Sequence, residues 1–106
     1  MASLINLKTS SLTQAKKALK SLNRVNRHFE ILRCYNGTVL SVQGSDFNYS
    51  TPKRVLANLT SYSALEIMIV KVVTITNLES LKGIDSDGVY GWVPIDKVLE
   101  LVRDNS

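Results

Sequence analysis

The chain has one cysteine and one histidine among its 106 residues, and its five glycines are dispersed. With Cys34 alone, no disulfide can close within the chain, and the paired-cysteine spacing of zinc sites does not occur. Such a chain suits a reducing compartment. His28 offers no imidazole pair, and no triad is read around it. Cys34 lies in a strand-like stretch, where a packed thiol is expected rather than a nucleophile. Without clustered glycines there is no phosphate-cradling loop. The segment Asp85-Ser86-Asp87-Gly88 resembles part of a calcium loop. However, Gly83 stands where the first ligand belongs and Pro94 where the bidentate acid belongs, so it reads as a turn. These absences argue against an enzyme, a cofactor or a metal.

Long apolar runs are also missing. The longest, Ile67 to Val73, is interrupted by Lys71 and is far short of the roughly 20 residues that cross a bilayer. The opening residues, MASLINLKTSSL, lack the basic and apolar regions of a secretion signal, so a cytoplasmic protein is expected. On that expectation the three sequons, at Asn36, Asn48 and Asn58, are chance matches.

Acid is the next shortage, and it is local. Residues 1–35 carry seven basic side chains against one acid, Glu30; residues 36–106 carry six against eight. From residue 9 to residue 29 there is no acid at all. A two-ended charge distribution favours an anionic partner at the basic end and says little about the fold.

What is present fits one small α+β domain over residues 1–106. Hydrophobic residues make up 44% and charged residues 21%, enough apolar surface for one core. Ser3 to Lys8 reads as a short edge strand. Ser11 and Gln14 have capping-box spacing. Leu12, Ala15, Ala18, Leu19, Leu22 and Val25 then fall on one side of a helix expected to run to about Asn23. Lys16, Lys17, Lys20, Arg24 and Arg27 fall on the other side.

Beyond the helix the period changes to two. Asn36-Gly37 is a strong hairpin signal, and a two-residue type I′ loop pairs Tyr35 with Thr38, Arg33 with Leu40 and Ile31 with Val42. Phe29, Ile31, Leu40 and Val42 are then the hairpin's core face. Thr51-Pro52 starts a short middle helix. Ala64 to Thr76 is strand-favouring on both faces, hence central. Thirteen extended residues reach about 43 Å, more than the ~30 Å of such a domain, so the strand bends, bulges or breaks near Lys71. Val89–Pro94 reads as a further strand. Ile95, Val98, Leu99 and Val102 predict a C-terminal helix, with a short strand through Val98–Val102 as the alternative. The architecture expected is a mainly antiparallel sheet of about four strands, with the basic amphipathic helix, the short middle helix and the C-terminal helix on one face.

The stretch GVYGWVP, followed by IDKVLEL, resembles the closing end of SH3-like barrels, where a Gly-Trp-x-Pro strand leads into a final short strand. The resemblance spans about a dozen residues. A helix opens this chain and the other short strands and groove aromatics are absent, so no binding groove is carried over. Trp92 is expected to pack under the C-terminal element.

Two functional readings follow. In the first, Lys16, Lys17, Lys20, Arg24 and Arg27 contact nucleic-acid phosphates, because an ordinary solvated face interleaves both signs. Arg33 and Tyr35 near the hairpin tip could add a cation and a stacking ring, and Lys53 and Arg54 could extend the basic surface. In the second reading the same face docks an acidic protein patch. The chain would then be an adaptor or a small inhibitor of a host protein, of the kind common among phage and mobile-element accessory proteins, with a homodimer through the long apolar strand as one form of it. A membrane is not expected as partner, since the apolar side of the helix is needed by the core.

Overall fold

The first helix forms where pattern and capping agree. In a computed structural model of the chain, which describes residues 11–25, 28–34, 36–71, 85–86 and 89–105, α1 spans Leu12–Lys20. The Ser11 hydroxyl accepts the Gln14 N–H at 3.2 Å, satisfying one of the unpaired donors of the first turn. Ala15, Ala18 and Leu19 are buried on one side of α1. The helix stops three residues before Asn23 because Ser21 closes it, its hydroxyl donating to the Ala18 carbonyl at 2.6 Å. The Asn23 N–H is then taken by the Glu30 carboxylate at 2.8 Å. Arg24 is thus on a strand rather than the helix. Strands β1 (Arg24–Val25) and β2 (His28–Phe29) pair antiparallel as a small ribbon.

The main sheet is antiparallel throughout, in the order β3-β4-β5-β7-β6. Its long members are β4 (Val39–Gln43), β5 (Ala64–Lys71) and β7 (Val89–Pro94). The edges are the two-residue strands β3 (Leu32–Arg33) and β6 (Asp85–Ser86). The ladder between β4 and β5 slips between Val39 and Leu40, leaving Val70 as the extra residue just before Lys71. The expected opening strand and residues 72–76 lie outside the described residues.

One sheet face is covered. Leu40 and Val42 of β4, Leu65 and Ile67 of β5, and Val93 of β7 are buried in one cluster with α1 and with α2, Ile95–Asp104. Val98, Leu99, Leu101 and Val102 turn α2 inward, as the 3.6-residue period requires. Where the SH3-like ending would have a strand, this chain has ten residues of helix.

Three expectations change. The hairpin pairs Leu32 with Leu40 and Arg33 with Val39, one residue away from the expected register. The Cys34 N–H bonds the Thr38 carbonyl at 2.8 Å, and Gly37 N–H bonds back to the Cys34 carbonyl at 3.0 Å. The loop is therefore three residues long, with Gly37 at φ 95° taking the left-handed conformation it needs. That slip buries Leu32 and Cys34, leaves Ile31 half-buried and exposes Arg33. Second, the middle helix is a single 3-10 turn, Leu59–Ser61, capped by Asn58 rather than by Thr51. Third, Trp92 does not pack under α2; it is 40% exposed.

The reason residues 52–57 do not form a helix is visible in their hydrogen bonds. The buried Tyr62 hydroxyl accepts the Leu56 N–H at 2.8 Å and donates to the Arg54 carbonyl at 2.6 Å. The Arg24 guanidinium donates to the carbonyls of Leu56 at 2.7 Å and Gly44 at 3.1 Å, and reaches the Tyr62 hydroxyl at 3.4 Å. Gly44 is there for contact: a Cβ on it would meet the Tyr62 ring at 2.7 Å. Tyr62→Phe leaves the Leu56 N–H and the Arg54 carbonyl unmatched, so a loss of about 1–3 kcal/mol is expected. A thermal melt should fall by about 4–8 °C per kcal/mol for a domain of this size; an unchanged melting temperature would refute the role given to that hydroxyl.

Candidate nucleic-acid interface

Of the seven side chains singled out for anion contact, the structure keeps three together. Lys16, Lys17 and Lys20 are exposed on the outward side of α1, within an arc of about 100°. None of them forms an ion pair among the described residues, where the ion pairs are Lys97–Glu100 at 3.7 Å and Arg103–Asp104 at 2.9 Å, both on α2. The two helices therefore differ: α2 interleaves both signs on its wet side, while α1 presents cations only. Lys17 and Lys20 also sit in the last turn of α1, where the helix dipole favours them.

Arg24 leaves the set. Its guanidinium is turned inward to the carbonyls of Gly44 and Leu56, and its central carbon lies 4.2 Å over the Phe29 ring. A charge used to hold four segments together is not available to a phosphate. Arg33 is exposed, but on the edge strand β3, a different element. Arg27 and Tyr35 lie outside the described residues. Lys53 and Arg54 are exposed in the irregular segment after Thr51, not in a helix.

A second surface was not foreseen. Along β5 the side chains alternate: Leu65 and Ile67 face the helices, while Glu66 and Met68 face the opposite side of the sheet. Leu65 pairs with Val93 and Ile67 with Tyr90, so Gly91 and Trp92 together oppose Glu66 in a β-bulge. Trp92 takes φ 51°, the only positive φ outside glycine among the described residues. Its ring stacks on Tyr49, centroids 4.7 Å apart and planes 23° from parallel. Tyr49 lies against Gly91, where a Cβ would meet the Tyr49 Cβ at 2.9 Å.

The loop bearing Tyr49 is tied to the sheet at both of its polar groups. The Glu66 carboxylate accepts the Tyr49 N–H and the Asn48 side-chain amide, each at 3.0 Å. The Trp92 N–H donates to the Tyr49 carbonyl at 2.9 Å. Inside the loop, the Ser45 hydroxyl donates to the Asn48 side-chain oxygen at 2.6 Å and accepts the Phe47 N–H at 3.1 Å. Phe47 and Tyr49 remain exposed, and the Lys53 ammonium stands 5.8 Å from the Tyr49 ring centre. The sequence signals that could have found this were the aromatic spacing Phe47-x-Tyr49 and the Gly91-Trp92 pair. Neither shows that the two meet.

Among the described residues, no three His, Cys, Asp or Glu side chains converge as metal ligands, and no helix is long and apolar enough to cross a membrane. No family model, curated protein or solved structure matches the chain.

Cys34 is buried, and desolvation pushes its thiol up to about 11. At pH 8 a thiolate is thus scarcer than in a free cysteine by roughly two orders of magnitude. Reaction with a thiol reagent at pH 8 is expected to be slow in the folded protein and fast once denaturant is added. Equal rates in the two conditions would contradict the packed position.

Proposed function

We propose that the chain is a non-enzymatic binding protein that contacts nucleic-acid phosphates through Lys16, Lys17 and Lys20 of α1. The observation that carries this reading is a helix face with three exposed lysines and no acid paired to them among the described residues. A face that serves only solvation gains from opposite-sign neighbours, as α2 does with Lys97 and Glu100. The overall charge of +4 acts in the same direction at longer range. Contacts of this kind read the backbone rather than the base sequence. A cytoplasmic setting belongs to the same reading, with the lone Cys34 in support.

The test is salt. Three phosphate contacts on duplex DNA imply a loss of about 40-fold in affinity between 50 and 200 mM salt. The triple variant Lys16→Glu, Lys17→Glu, Lys20→Glu, shown by circular dichroism to be folded, is expected to lose both the binding and its salt dependence. Binding that ignores salt, or a folded triple variant that binds normally, would overturn the proposal.

One observation favours the second reading, a protein-interaction module. Met68 is 41% and Val70 49% exposed on β5, the central strand. Exposed apolar side chains on a sheet face are what a protein partner or a second copy would cover. Native mass measurement over a range of concentrations separates the two. A dimer abolished by Val70→Lys supports this reading, and a monomer throughout removes the homodimer from it.

A further inference from the structure

The stack of Tyr49 and Trp92 is costly as built, and that cost points to use. Trp92 holds a left-handed backbone that a bulky side chain disfavours. The bulge that imposes it also aims the indole away from the core. Glycine at position 91 is required for the Tyr49 ring to approach. The Glu66 carboxylate fixes the loop from beneath. Tyr49 and Trp92 both stay 40% exposed, so part of the stack faces water.

We infer that the Tyr49–Trp92 stack is a platform on which a nucleobase of a single-stranded nucleic acid stacks, with the Lys53 ammonium placed for the adjoining phosphate. This deepens the nucleic-acid reading and rests on it. The cation beside the platform favours this occupant: the Lys53 ammonium is 5.8 Å from the Tyr49 ring centre. Residues 45–57 hold Lys53 and Arg54 against one acid, Asp46. Glu66, the carboxylate beside the stack, is tied to the 45–50 loop by one N–H on each of its oxygens. A half-exposed flat aromatic surface beside a cation matches the stacking and backbone contacts of single-strand recognition. Every base has a face to stack, so no sequence preference is expected. The platform lies on the sheet face opposite the helices, so it is separate from the α1 lysines.

Trp92 is the only tryptophan in the chain, which makes its fluorescence a reporter of the site. The probes are a four-nucleotide thymidine DNA, an abasic tetranucleotide of equal charge, and a 20-base-pair duplex at two salt concentrations. The thymidine oligonucleotide is expected to quench Trp92 and to bind about 5- to 150-fold more tightly than the abasic one. Tyr49→Ala should lose that difference, Tyr49→Phe should keep it, and the α1 triple variant should leave it unchanged. A melting curve on each variant separates lost stacking from lost fold. If thymidine and abasic probes behave alike while the duplex still binds in a salt-sensitive way, the platform is overturned and the α1 reading stands. If neither oligonucleotide nor duplex binds, both fall. If Trp92 emission instead shifts with protein concentration alone, the surface is a contact between copies and the inference is wrong.

Discussion

The hydroxyl of Tyr62 is where the separate pieces of the chain are joined. It accepts the Leu56 N–H and donates to the Arg54 carbonyl, and the Arg24 guanidinium closes over it from the ribbon after α1. Because Arg24 also donates to Gly44 at the end of β4, one phenol and one guanidinium fasten four segments that are up to 38 positions apart in sequence. The cost of sinking a cation there is offset by carbonyl acceptors and by the face of Phe29. With that knot in place, residues 52–57 have their backbone committed to side chains and cannot wind into a helix. The central strand β5 then follows directly from Tyr62, with its inner face set against α1 and α2.

The outer face of the same strand is organised by a second polar anchor. Glu66 cannot go inward among Leu65, Ile67 and Val93, so it faces out and takes two N–H groups of the 45–50 loop. Lying opposite Glu66, the Gly91–Trp92 bulge brings the indole to the ring that Glu66 has positioned. The carboxylate thus sets where the ring that stacks on the indole lies. Strain of a few kcal/mol is large beside the 5–15 kcal/mol by which a domain is stable. A fold that needed only to cover β5 would have had cheaper ways.

These two anchors also mark the boundary of what the sequence discloses. Helices α1 and α2 are legible because their apolar residues repeat at 3.6, and β7 because Pro94 ends it. A register shift does occur next to Lys71, although the length argument that anticipated one rests on residues 72–76, which lie outside the described residues. The hairpin register was not legible. Asn36-Gly37 suggests two residues of positive φ, but only Gly37 adopts it, and a third loop residue shifts every pairing by one. Arg24 shares the lysines' side of an extended helix wheel, yet the helix has already ended at Lys20. Its true partners, Gly44, Leu56 and Tyr62, lie 20 to 38 residues away, beyond the reach of any local pattern. Tyr49 and Trp92 are 43 positions apart and meet only because Glu66 and Gly91 let them.

The two candidate surfaces carry unequal weight for a physical reason. A lysine on the wet side of a helix costs little, so three of them are informative only through the missing acids. The aromatic stack is different, because the fold holds it in spite of a positive φ at a bulky residue and a glycine in a strand, and leaves part of both residues in water. Features that fold for free say little about use, whereas features the fold must support from several sides say more. On that ground the outer face of the sheet, which the charge pattern did not single out, is the more specific part of this molecule. In the reading proposed above, the lysines of α1 would supply attraction at a distance, and the platform a surface on which a base stacks.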